Sequence, residues 1–175
     1  MTHGEKHQPQ KIHVPHDWAI PNNPLPFLVY RGVVEAGECS AHWFERRFAA
    51  NGWSGSWRNG VFPYHHYHSN AHEVLGVYAG SATIQIGGEE GPEVDVSAGD
   101  VVVIPCGGGH KRISQSAGFR VVGAYPGGGP FDTCYGRPEE RPAADRRIAS
   151  VPLPDSDPVY GREGPLPRLW REGHE

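Results

Sequence analysis

Glycine and proline interrupt this chain so often that long helices are excluded. Of its 175 residues, 24 are glycine and 17 are proline, nearly a quarter of the total and about twice average usage. Glycine loses the most backbone freedom on ordering, and proline cannot donate a backbone hydrogen bond. Elements must therefore be short and turns many, which points to an all-β fold. Apolar residues make up 37% of the chain, enough at this length to bury a core without covalent staples. No apolar run reaches the length of a membrane span. Lys and Arg total 16 against 20 Asp and Glu, a net charge of −4 with no basic block, so a nucleic-acid partner is not expected. Cys39, Cys106 and Cys134 form no CxxC pair, and the N-terminus lacks the apolar stretch of a signal peptide. A reduced, cytoplasmic protein is expected.

Residues 1–24 are polar and proline-rich and are expected to form an arm, with Trp18 and Ile20 docked on the domain. A β-sandwich or barrel domain is expected over 25–135 and a charged, proline-rich tail packing on it over 136–175, with one short helix in 141–150. Residues 25–30 suit a first strand. Ser40 is a good N-cap and Asn51-Gly52 a good stop, and between them Ala41, Phe44 and Phe48 share one helical face. Residues 81–86 and 93–97 alternate polar and apolar with a period of two, around the turn 87–92. Val101 to Ile104 is a continuous apolar run, and 119–125 is a further strand candidate.

Histidine is abundant at 11 copies, and His65, His66, His68 and His72 fall close together. On a strand, the spacing of His66 and His68 puts both imidazoles on one face. Glu73 follows at the next strand, and His110 follows the turn after Ile104. Three imidazoles and a carboxylate suit Fe, Ni, Mn, Zn or Cu and suit Ca or Mg poorly. Four protein ligands leave an octahedral ion with open positions. The competing readings are satisfied polar residues, or a ligand set whose metal is purely structural or absent.

The spacing Gly60, His66, His68, Glu73, Gly80, followed by Gly99, Pro105, Gly107, His110, resembles the two sequence motifs of the cupin superfamily. The family often has Asn four residues after the last histidine, where this chain has Ser114. The resemblance covers about residues 55–125. It implies an antiparallel jelly-roll barrel of the double-stranded β-helix type, with one divalent transition metal held inside by His66, His68, Glu73 and His110. It also implies frequent homodimers that pair N-terminal segments. Dioxygenase-like chemistry on a small organic substrate is its commonest precedent, followed by isomerase or lyase chemistry. A non-enzymatic module that binds metal or a small molecule is the alternative.

Period two extends the inward set to Phe62 and Tyr64, and turns His65 and Tyr67 outward. Tyr64 is then a candidate general acid, or else a packed barrel tyrosine. His72 should face away from Glu73. The same alternation puts Arg112 and Ser114 inward with His110. Arg112 would there bind an anionic substrate, or pair internally with Glu73 or a tail carboxylate. Cys106 is either a redox-sensitive thiol or a small buried residue. Trp53 and Trp57 should close one end of the barrel or line a dimer interface.

Overall fold

A computed structural model describes residues 8–173. The first seven residues of the expected arm and the last two of the tail lie outside the described residues. In chain order the elements are β1 (Gln10–Ile12), β2 (Phe27–Tyr30), α1 (Ala41–Ala50), β3 (Trp53–Asn59), β4 (Glu73–Ala79), β5 (Ser81–Ile86), β6 (Glu93–Ser97), β7 (Val101–Ile104), β8 (His110–Gln115), β9 (Arg120–Pro126), α2 (Ala143–Ala149) and α3 (Pro165–Gly173). All strand pairs are antiparallel. They form one six-stranded sheet, β1-β2-β7-β4-β9-β3, and one three-stranded sheet, β6-β5-β8.

One core lies between the two sheets. It joins Phe27, Leu75, Val102, Ile104 and Val121 of the larger sheet to Ala82, Ile84, Ile86, Val94 and Val96 of the smaller. A second core lies on the far side of the larger sheet, where Val74, Val101, Val103, Val122 and Ala124 meet Phe44 and Phe48 of α1 and Leu166, Leu169 and Trp170 of α3. The larger sheet is thus covered on both faces. This explains the unbroken apolar run of β7, since a strand buried on both faces has no polar side to present. The smaller sheet has one wet face and keeps strict alternation in β5 and β6.

The helix α1 forms as its residues dictate. The Ser40 side chain accepts from the backbone N–H of Trp43 at 3.1 Å, and Ala41, Phe44 and Phe48 are buried. The Phe44 ring lies against Gly76 of β4, where a Cβ would meet it at 2.5 Å.

Three expectations need correction. The arm does not merely dock, because its β1 adds a strand to the edge of the larger sheet. Ile20 is buried but Trp18 is 83% exposed, since Asp17 turns the chain by accepting from the Ala19 N–H and donating its own N–H to the Ile20 carbonyl. The segment around His66 and His68 is no regular strand. It is held extended by two isolated bridges, His66 to His110 and Tyr67 to Cys134. Tyr67 does face away from the histidines, yet it is fully buried because Ile20, Ala144 and Ile148 cover it. The tail also forms more structure than expected. Besides α2 it makes α3, which places Leu166, Leu169 and Trp170 on one face at helical spacing and donates a hydrogen bond from Trp170 Nε1 to the Pro26 carbonyl at 3.0 Å. The buried Asp157 carboxylate ties the tail down, accepting from the Tyr30 hydroxyl and from the N–H groups of Val159, Tyr160 and Leu166.

Candidate metal centre

Glu73 opens β4, and its side chain points with Leu75 and Val77 toward the space between the sheets. His110 opens β8 directly across from His66, each donating its backbone N–H to the other's carbonyl, at 3.2 and 3.0 Å. His68 follows on the same side of the extended segment as His66. The fold therefore brings His66, His68, Glu73 and His110 together, all at 5% exposure or less. One nitrogen from each of the three histidines lies within 4.8 Å of the other two. The Glu73 carboxylate touches two of them, with Oε2 3.3 Å from His68 Nε2 and Oε1 3.3 Å from His110 Nε2.

The backbone sets the direction of each ring. His66 Nδ1 meets the Tyr64 carbonyl at 3.1 Å, His110 Nδ1 meets the Gly108 carbonyl at 3.1 Å, and His68 Nδ1 meets the Asp132 carbonyl. A carbonyl only accepts, so each Nδ1 carries a proton, and in the neutral ring each Nε2 keeps a lone pair for the centre. This second shell is what a metal-binding imidazole needs. The loop bearing Asp132 is itself held in place, because the Asp132 carboxylate accepts from the Ser69 N–H at 2.7 Å.

Burial and mutual charge polarise the cluster. Burial, then the neighbouring His110, pulls His66 down to about 3. Burial would also lower His68, but the Glu73 charge and hydrogen bond outweigh it and raise that imidazole. Burial alone would raise the Glu73 carboxyl, yet His68 and His110 hold it below the usual carboxylate range.

Above these residues lies a cavity of about 190 Å³, lined also by Trp57, Val61, Phe62, Leu75, Tyr125, Phe131 and Thr133. Sequence reasoning missed Tyr125 and Phe131. Tyr125 donates its hydroxyl to Glu73 Oε2 at 2.7 Å and accepts from Trp57 Nε1 at 2.8 Å. Trp57 reaches it because position 123 is glycine, where a Cβ would lie 2.2 Å from the indole. The period-two pattern Val121, Gly123, Tyr125 was a usable signal for Tyr125. Phe131 sits outside any regular element, where no periodicity marks it.

Tyr64 and Arg112 are placed otherwise than expected, and neither lines the cavity. Tyr64 is 42% exposed and stacks on Phe62, because the segment is irregular there and alternation fails before His66. Arg112 pairs with Ile84 in the sheet register, but its guanidinium donates to Gln115 Oε1 at 2.6 Å in an exposed contact. A buried guanidinium without an anionic partner would be costly. His65 meets Glu89 at 2.7 Å, away from the centre. His72 faces the opposite side from Glu73, where Nδ1 accepts from the Cys106 N–H, Nε2 meets the Pro152 carbonyl and the ring packs on Trp170. Cys106 is buried, and burial pushes its thiol up to about 12.

Residues 57–121 match the family model described as a cupin domain. The chain is 45% identical over 162 residues to the uncharacterized protein YjlB of Bacillus subtilis (strain 168), covering 92% of this chain and 96% of that protein. The chain belongs to the cupin superfamily. Solved structures similar to this cupin include acireductone dioxygenase from Bacillus anthracis, with 18% identity, a TM-score of 0.35 and 49% of this chain covered. Another is procruciferin, an 11S globulin from Brassica napus, with 25% identity, a TM-score of 0.37 and 45% of this chain covered. The aligned part spans 57% of the first of those chains and 20% of the second. This cupin is built mainly of antiparallel sheet. Among its described residues no helix is long and apolar enough to cross a membrane.

Proposed function

We propose that this cupin is a metal-dependent enzyme acting on a small organic molecule, with dioxygenase-like oxidation as its reaction class. The observation that carries this reading is the common orientation of three buried imidazoles at the floor of a cavity, each Nδ1 committed to a backbone carbonyl. The donor set fits a borderline divalent metal, and His66, His68, Glu73 and His110 would hold it. Such an ion supplies Lewis acidity and, if redox-active, the electrons that dioxygen chemistry needs. The rest is done by side chains of this chain. Trp57 orients the Tyr125 hydroxyl, Tyr125 holds Glu73 by one oxygen, and Phe62 and Phe131 shield the cavity from water. Tyr125 rather than Tyr64 is the hydroxyl placed to hold or move a proton beside the reacting centre. That same hydroxyl supports isomerase or lyase chemistry as the second reading. We place the protein in the cytoplasm, where its three cysteines stay free, and expect it to be a homodimer.

Elemental analysis tests the site. Untagged protein, purified without chelator, should carry about one Fe, Ni, Mn, Zn or Cu per chain, and the His66→Ala and His110→Ala variants should lose it. Unchanged metal content in both variants, or none in the wild type after reconstitution, overturns the assignment. Oxygen uptake with the iron-loaded protein separates an oxygenase from an isomerase or a simple binding module.

A further inference from the structure

The cavity has one polar end and an apolar body, and the body is largely aromatic. Phe131 stacks on Tyr125 with centroids 4.3 Å apart and planes 18° apart, and meets His68 edge-on at 5.1 Å. Phe62 meets His66 edge-on at 5.0 Å. Phe62 and Phe131 are 45% and 42% exposed, so each presents ring surface that nothing among the described residues covers. Trp57, Val61 and Leu75 add further apolar wall, and Asn59 and Thr133 are its uncharged polar members. Among the lining residues there is neither Lys nor Arg. The nearby guanidinium of Arg112 is committed to Gln115, and that of Arg58 to Glu45.

We propose that the site takes a flat, uncharged organic body carrying one oxygen donor to the histidine end, and that it rejects ligands bearing a further charge. This rests on the metal reading above. A divalent ion beside Glu73 leaves positive charge for a single anionic donor at the floor. A second charge, carried into the body of the cavity, would lose its water among Trp57, Val61 and Leu75 and gain no charged partner, only the neutral Asn59 and Thr133. Flat rings, in contrast, can stack on the Phe131 face or meet the Phe62 edge, contacts a puckered ring makes poorly.

Three probes with one six-membered ring each decide the matter: phenol, 4-hydroxybenzoate and cyclohexanol, titrated by ligand-observed NMR into the zinc-loaded protein. Phenol should bind at least about tenfold more tightly than 4-hydroxybenzoate and about fivefold more tightly than cyclohexanol. Phe131→Leu keeps apolar bulk and removes the ring. It should lower phenol affinity about fivefold and leave zinc content unchanged. Equal or tighter binding of 4-hydroxybenzoate overturns the charge rule. Equal binding of cyclohexanol, or an unaffected Phe131→Leu variant, overturns the aromatic one. The phenol-over-cyclohexanol preference should persist in metal-free protein, so failure of the metal reading and failure of this one give different results.

Discussion

Imidazoles serve a metal only when their lone pairs converge, and here that convergence is imposed from behind by three backbone carbonyls. Glu73 is restrained in the same manner, by Tyr125, whose hydroxyl has its own direction set by Trp57. Tyr125→Phe removes that donor and orphans the indole N–H, while leaving all four candidate ligands in place. Metal affinity should fall about 10–100-fold, measured by competition with a chromophoric chelator; wild-type affinity would show that Glu73 needs no such support. Cys106 gives a second expectation at this scale. With its thiol pushed up to about 12 by burial, it should resist iodoacetamide at neutral pH in the native protein and react on unfolding, read by mass spectrometry. The spacing of His66, His68, Glu73 and His110 was legible in the sequence, because the residues that meet lie in short motifs. The alternation of β9 marks Tyr125 as inward-facing, but that Tyr125, Phe131 and Asp132 reach the centre was not legible, because only the fold brings β9 and the loop after it alongside.

At the scale of elements, local signals succeeded where one surface dominates. The helix α1 has a capping serine and a single apolar face, and β5 and β6 alternate because their sheet has one wet side. Reading failed where tertiary contacts override local pattern. The segment around His66 is extended without being a strand, since its pairing is confined to isolated bridges. The helix α3 starts at a proline and holds another in its first turn, so its apolar face at Leu166, Leu169 and Trp170 was hidden within a proline-rich tail. That face seals one side of the larger sheet. Trp170→Ala should therefore destabilise the protein by about 3–5 kcal/mol, measured by urea unfolding; a loss well under 1 kcal/mol would mean the tail is dispensable.

For the whole molecule, pH should act through a histidine outside the candidate metal centre. Burial holds His72 at about 4 against an ordinary 6.5. As pH falls through that interval the unfolded chain takes up a proton that the folded chain refuses, so stability declines, by up to about 1.4 kcal/mol per pH unit for this one group. Urea unfolding of metal-free wild type and His72→Gln at pH 7 and pH 5 should show a smaller drop in the variant; equal drops would clear His72 of any part. Light scattering should give twice the chain mass of 19.2 kDa, and a value equal to the chain mass would refute the dimer. The clasp between Trp170 and the Pro26 carbonyl bears on how the protein is made. Its two partners lie 144 residues apart, near opposite ends of the chain. A nascent polypeptide on the ribosome can assemble the sheets and α1 early but must leave part of one apolar face bare until α3 emerges. A reading-frame error before the codons for α3 would thus release a chain with all four candidate ligands intact and a sticky, unfinished surface, open to a chaperone or a protease.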